Sequence, residues 1–300
     1  MCYLFQIMSG QKEIWNVTRL LKWTTGFFQE RKLHSPRLSA EVLLAAVMGW
    51  ERIDLYARFD YILEKGELDK FRDHVRKAAD GFPVSYIIGE KEFYSITFKV
   101  SPDVLIPRPE SELLVDAATD YLRRLPHPGL VWDVCTGSGC VAIAIASNAP
   151  VAGVLATDVS PPAVAVASSN VERLGLGDRV MACEADLISV PSDWNHGSLF
   201  DCITANPPYV ATTEPLGTGV DSEPEIALRA GHDGLDLIRP LIDGVCDRLN
   251  DGGLFCMEFG VGQADAIQEL VDEVEEFESS DILYDIQDLP RTLVATRGDR

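Results

Sequence analysis

No lysine follows Lys99 in this 300-residue sequence. Residues 1–100 carry 15 Lys/Arg against 13 Asp/Glu, a net of +2, whereas residues 101–300 carry 11 against 34, a net of −23. So acidic a surface repels phosphate backbones. It argues against nucleic acid as the main ligand of the larger part, and it equally serves plain solubility. The charge step near residue 100 suggests two domains. Long apolar runs are missing as well. No stretch approaches the roughly 18 apolar residues of a membrane helix, so no membrane partner is expected. The opening MCYLFQIMSG has no basic n-region and reads as a tail, or as an extension ahead of a start at Met8, rather than a signal peptide. The seven cysteines form no C-x-x-C pair, and the five histidines show no metal-ligand spacing, so no metal is expected. Several cysteines sit in apolar, strand-like runs as small hydrophobes. A reducing, cytoplasmic setting fits them.

What is present divides into two styles. Ile14, Val17, Leu20, Leu21 and Phe28 form one helical stripe. Leu38, Val42, Leu43, Ala46 and Val47 form a second, stopped near Gly49, and Leu68, Phe71, Val75 and Ala78 a third. Residues 1–85 therefore read as a small helical domain. Tyr86 to Val100 is rich in aromatic and β-branched residues and reads as a β-hairpin. With the proline-rich stretch after it, it forms a linker over residues 86–108. A helix then starts at Pro109, where Glu110 and Glu112 suit the first turn.

From Leu130 the pattern becomes strand, Gly-rich turn, helix, repeated through residue 300. Strands are expected at Val131–Cys135, Val154–Asp158, Val180–Glu184, Asp201–Ala205 and Leu254–Phe259. Helices are expected near 139–148, 161–174 and 234–250, with a closing antiparallel pair at Ile282–Ile286 and Thr292–Thr296. Such alternation builds an α/β doubly wound sheet, here over residues 109–300.

The chemistry gathers at the strand ends. "WDVCTGSGC" places Gly137 and Gly139 in a tight turn at the carboxyl edge of the sheet, the usual ligand side. One such turn is compatible with a dinucleotide or with no ligand, but its spacing is not the dinucleotide G-x-G-x-x-G. Asp133 would repel a pyrophosphate and suits a positively charged or zwitterionic ligand. Asp158 ends the second strand, where an acid takes ribose hydroxyls; it or Ser160 would serve equally as a helix N-cap. Asp186 follows the third strand, where an adenine ring would lie, and would serve equally as a loop acid. Three acids at successive strand ends, with a turn lacking a phosphate fingerprint, point to S-adenosylmethionine. "TANPPYV" then ends the fourth strand with a corner that two prolines make rigid.

This run resembles the class I methyltransferases, which hold that cofactor on a seven-stranded doubly wound sheet. "NPPY" is similar to the corner of their amino-methylating members. "RLSAEVLLAAVMGWERIDLYA", "PVSYIIGEKEFYSITFKVSPDVLIPRPESELLVD", "EPEIALRAGHDGLDLIRPLI" and "RTLVATR" look like the release-factor glutamine methyltransferases, the PrmC/HemK family. The resemblance covers about residues 15–297 and is carried by "IPRPESE", "TGSG" and "NPPY" together. It implies methyl transfer from S-adenosylmethionine to the glutamine amide of the Gly-Gly-Gln motif in peptide-chain release factors, which modulates translation termination. It implies cofactor contacts from Asp133, Cys135, Thr136, Gly137, Ser138 and Gly139, and from Asp158, Asp186, Leu187 and Asn206. Cys135 stands where most members carry glycine, and Leu187 where some carry an aromatic residue. The helical domain would dock the release factor, and the chain is expected to act as a monomer without nucleic acid.

An amide nitrogen is a weak nucleophile, because its lone pair is delocalised into the carbonyl. It must be held in line with the methyl, with its N–H groups on fixed acceptors. The Asn206 oxygen and the Pro207 carbonyl are the expected acceptors, Pro208 stiffens them, and Tyr209 offers an aromatic face to the planar amide. Arg108 and Glu110, in the "IPRPESE" loop, would contact the substrate, hold the loop, or simply pack. Phe98 and the hairpin are expected to form the opposite wall. Two rivals remain: an amino methyltransferase of DNA or RNA bases, and a non-catalytic adenosine-ligand-binding protein.

Overall fold

The Asn16 side chain accepts a hydrogen bond from the Arg19 amide at 3.0 Å and so caps the first helix, α1 (Val17–Glu30). The computed structural model describes residues 14–217 and 219–299, and the MCYLFQIMSG opening lies outside them. Helices α2 (Pro36–Met48), α3 (Asp54–Ala57), α4 (Lys65–Ala79) and α5 (Val84–Ile88) complete a first unit that ends at Ile88. Its core is Val17, Leu20, Leu21 and Phe28 of α1, Leu43 and Leu44 of α2, and Phe71 and Val75 of α4. Two stripes need correction. Ile14 precedes the cap and is exposed, and α2 buries Ala40, Leu43 and Leu44 while Leu38 and Ala46 face out. Gly49 ends α2 in the left-handed region, at φ 63°.

The hairpin is shorter than its sequence suggests. Tyr86, Ile87 and Ile88 lie in α5, where Ile87 and Ile88 pack on the helical core and Tyr86 is buried, with the Tyr86 and Ile87 amides bonded to the Pro83 carbonyl. Burial against helices outweighs their strand propensity. Strands β1 (Glu90–Phe93) and β2 (Ile96–Lys99) belong to the second unit, which begins at Gly89. Their two-residue turn, Tyr94 and Ser95, has φ of 50° and 59° without a glycine. Glu112 accepts from the Tyr94 amide at 3.0 Å and Asp116 from its hydroxyl at 2.8 Å, which holds this unfavourable turn.

In the second unit, a 3₁₀ turn (Pro109–Ser111) leads into α6 (Glu112–Leu122). The chain continues as β3 (Gly129–Val134), α7 (Cys140–Asn148), β4 (Val151–Asp158), α8 (Pro161–Arg173), β5 (Val180–Glu184) and β6 (Phe200–Ala205). It closes with α9 (Ile238–Val245), β7 (Leu249–Glu258), α10 (Ala264–Asp272), β8 (Phe277–Tyr284) and β9 (Pro290–Arg297). The seven-stranded sheet has the order β5-β4-β3-β6-β7-β9-β8, with β9 antiparallel to both β7 and β8. Alternate residues feed two cores: Val131 and Cys202 face one side, Trp132 and Ile203 the other.

The expected strand at Ile282–Ile286 is shifted, because 285–289 forms the turn into β9, closed by the Asp285 amide on the Leu289 carbonyl. The helix expected at 234–250 is shorter, since Gly234 is left-handed and Leu249 already opens β7. Helix α10, which buries Ile267 and Val271, was not anticipated. Among the described residues no helix is long and apolar enough to cross a membrane.

The strand order reverses between β3 and β6, because β3 continues into β4 on one side while β6 lies on the other. The crevice at such a switch point is where an open α/β sheet receives ligands. Asp133, Asp158 and Asn206 all stand at this edge.

Candidate active site

β3 passes at once into the turn Cys135-Thr136-Gly137-Ser138-Gly139. Cys135, Gly137 and Gly139 all have positive φ, at 58°, 55° and 78°. A side chain on Gly139 would meet Ala167 of α8 at 3.3 Å, so this glycine lets α7 and α8 approach and stands behind the site's surface. Gly137 faces open space and donates its amide to Asp158 Oδ2 at 2.9 Å. Asp158 Oδ1 accepts from the Ser160 amide at 3.0 Å, while Ser160 itself caps α8. The two readings of Asp158 are thus separated: Ser160 takes the cap, and the carboxylate ties two strand ends together at the rim of a cleft.

That cleft spans about 680 Å³ with the open solvent at its mouth included. Its polar side is Asp158, Ser160 and Asp186, and Cys135, Gly137, Leu187, Asn206 and Pro208 also line it. Apolar walls come from Val104 and Leu105 on one segment and Ile226, Ala227 and Leu237 on others. A smaller space of about 390 Å³ shares Leu105, Cys135, Gly137 and Asn206 with it, and adds Arg108, Ser111, Asp133, Thr136 and Ser138. Asp133 is fully buried there. Its Oδ2 accepts from Thr136 at 2.5 Å and its Oδ1 from Thr204 at 2.7 Å. Burial pushes its carboxyl up to about 6, against the pull of those two hydroxyls and with a further push from the charge of Asp158. Burial likewise raises Asp158, partly offset by the Ser160 and Gly137 amides.

The Asn-Pro-Pro-Tyr corner is anchored from below. Asn206 Nδ2 donates to Ser111 Oγ at 3.1 Å, Ser111 donates to Glu258 Oε2 at 2.5 Å, and the Tyr209 hydroxyl donates to Glu258 Oε1 at 3.2 Å. The Tyr209 carbonyl accepts from Gln263 Nε2 at 3.0 Å. A Cβ on Gly234 would come within 2.2 Å of that carbonyl, so only glycine fits there. The loop above the corner is latched too: buried Glu223 accepts from the Ile106 amide at 3.0 Å and pairs with Arg108. Arg108 therefore holds the loop. Pro207, Tyr209, Gly139 and Glu110 do not line either space. Phe98 is wholly buried against Phe93, so the expected wall from the hairpin is made instead by Asp103, Val104 and Leu105.

Ser111, Glu223 and Glu258 were missed in the sequence. Glu258 carries the signal that singled out Asp133 and Asp158, an acid at the carboxyl end of a strand. Ser111 and Glu223 carry none, because their partners lie 147 and 115–117 residues away.

Comparison with known proteins decides the family. The PrmC N-terminal domain matches residues 19–89, and the methyltransferase small domain matches residues 110–218. The release factor glutamine methyltransferase of Rhodopirellula baltica is 40% identical over 286 residues, covering 93% of this chain and 95% of that protein. That of Geobacter sulfurreducens is 40% identical over 263 residues, covering 87% and 89%. The chain belongs to the release factor glutamine methyltransferase family. Its fold is also that of a T. thermophilus 16S rRNA N2 G1207 methyltransferase solved with AdoMet and guanosine, at 19% identity, TM-score 0.50, and coverage of 69% and 49%.

Cys135 and Leu187 share one physical property. Both positions are left-handed, at φ 58° and 42°. Glycine is the residue that adopts such a backbone without strain, so the thiol at 135 sits on a conformation that disfavours any side chain. Burial pushes that thiol far above its ordinary range, helped by Asp158, Asp133 and Asp186, so it stays neutral.

Proposed function

We propose that this protein transfers a methyl group from S-adenosylmethionine to the side-chain amide nitrogen of the glutamine in the Gly-Gly-Gln motif of peptide-chain release factors, and so modulates translation termination. The observation that carries the reading is the juxtaposition of Asn206 with the acid-lined cleft: one side chain borders both spaces.

The cleft's donor set suits S-adenosylmethionine. Asp158 spends one acceptor site per oxygen on the Gly137 and Ser160 amides and keeps lone pairs for ribose hydroxyls. Asp186 borders the same cleft, and Leu187, Ile226 and Leu237 offer apolar surface to an adenine ring. Asp133, Thr136 and Ser138 would face its cationic amino-acid end from the smaller space. When bound, the cofactor supplies a methyl group on a sulfonium. The chain's own part is orientation. The Asn206 oxygen and the Pro207 carbonyl accept the substrate amide's N–H groups and turn its lone pair toward the methyl. Pro208 keeps the acceptors rigid, and Tyr209, fixed at Glu258, braces the corner. Arg108 keeps the loop closed through Glu223, and Glu110 lies on that loop.

Residues 1–85 would dock the release factor as a monomeric enzyme does, with no nucleic acid taking part. The test is incubation of the full chain with labelled cofactor, release factor and its Gln→Ala variant, then peptide mass mapping. Label on the Gly-Gly-Gln glutamine of the wild-type factor alone is the expected result. Label elsewhere, or on a nucleic-acid base instead, overturns it.

A further inference from the structure

Asparagine's oxygen and nitrogen are nearly the same size, so only their partners decide which faces a ligand. Asn206 has one such partner, Ser111, whose Oγ lies 3.1 Å from Asn206 Nδ2. The same Oγ lies 2.5 Å from Glu258 Oε2. A serine hydroxyl has one proton, and an ionised carboxylate can only accept. The Ser111 proton is therefore committed to Glu258. Its oxygen is left to accept, which it does from the Asn206 nitrogen. The Asn206 oxygen must then point away from Ser111, as an acceptor requires.

We propose that Glu258 is a positioning residue that, through the single proton of Ser111, sets the orientation of the Asn206 amide and so presents an acceptor rather than a donor to the substrate. This rests on the glutamine-methylating reading of the same site. The register supports it, because Met257 of β7 pairs with Ala205 of β6, which brings Glu258 beside Asn206. Glu258 is 1% exposed and its two oxygens hold both arms of the corner, Ser111 on one and Tyr209 on the other. If Glu258 takes up a proton, it becomes a donor. The Ser111 proton can then turn to Asn206, and the amide flips to present nitrogen. The charged groups around Glu258 are Glu110, which favours the proton, and Arg291, which opposes it; Arg108 faces Tyr209. Burial favours the proton most.

The full-length chain tests this in two ways that fail separately. First, the Asn206 side-chain NH₂ resonance, assigned by its loss in Asn206→Ala, is followed by NMR from pH 5 to 8. It should shift with a single midpoint in the wild type and stay flat in Glu258→Gln. A flat wild-type resonance, or an unchanged midpoint in Glu258→Gln, overturns the proposal whatever the enzyme methylates. Second, single-turnover methylation of release factor should lose an acidic limb in Glu258→Gln and fall about 100-fold, the scale of a misplaced reacting group. Cofactor Kd should not move. Ser111→Ala should fall similarly and Ser111→Thr, which keeps the hydroxyl, should recover most of the rate. This pair answers the question even if Glu258→Gln does not fold. Equal rates for Ser111→Ala and Ser111→Thr overturn the proposal. If the resonance titrates as expected but no release factor is methylated, the positioning stands and the substrate reading falls.

Discussion

The Gly137 amide donates to the carboxylate of Asp158 at 2.9 Å, so the glycine turn after β3 and the acid at the end of β4 form one piece. Mutation at either position acts on both. Asp158→Ala should weaken S-adenosylmethionine binding by about 1–3 kcal/mol, the scale of a lost hydrogen bond to a charged group. Asp158→Asn keeps an oxygen for one of the two amides and should lose less. Calorimetry on both variants decides it, and unchanged affinity in a folded Asp158→Ala protein removes this acid from the cofactor site.

Cys135→Gly should stabilise the protein. A left-handed non-glycine residue costs about 1–3 kcal/mol, and glycine's extra unfolded-state freedom returns about 0.5–1 of it. A gain of about 1 kcal/mol corresponds to a Tm rise of about 2–4 °C in a domain of this size. Calorimetric scanning would show it. A lower Tm would mean that thiol packing against the Trp132 side of the core outweighs the strain.

Asn206→Ala removes one acceptor and leaves both prolines in place. Turnover should fall about 10²–10³-fold, by analogy with loss of one hydrogen-bonding group from an oxyanion hole. Cofactor affinity should change by less than about 1 kcal/mol. Asn206→Asp keeps the acceptor but sets a charge near a sulfonium whose own charge disperses in the transition state, so it too should be slow. Wild-type rates in both variants would reduce Asn-Pro-Pro-Tyr to a stiff loop.

Asp133 gives a signature in pH. Its carboxyl is raised from 3.8 to about 6 in the folded protein, so the folded state holds the proton more firmly than the unfolded one. The stability this contributes is fully present below the unfolded value and is lost as pH rises through about 6. Between pH 4.5 and 7, urea unfolding should show the wild type losing stability relative to Asp133→Asn. Asp158 and Glu258 shift in the same direction, so only the difference between the two proteins isolates Asp133. Parallel curves would show that Asp133 is ionised throughout.

The parts of this fold legible in sequence were those with a local period or a local rule. Gly49 stops α2 and β5 has the bounds its apolar run suggests, because both depend on neighbours in the chain. Ile87 and Ile88 misled because their environment, a helical core, is set by distant residues. Asp158 was legible as an acid at a strand end, but its hold on Gly137 was not, since it needs β3 and β4 side by side. The Glu223 latch and the Ser111–Glu258 link join residues more than 100 positions apart, and no spacing rule reaches that far.

β9 does not lie at the border of the sheet. It runs between β7 and β8, with Thr292 and Leu293 fully enclosed. During synthesis, then, β7 has no neighbour on that flank until residues 290–297 have left the ribosome. The sheet cannot close before that strand is made, and until then the edge of β7 presents unpaired backbone groups for chaperones to cover.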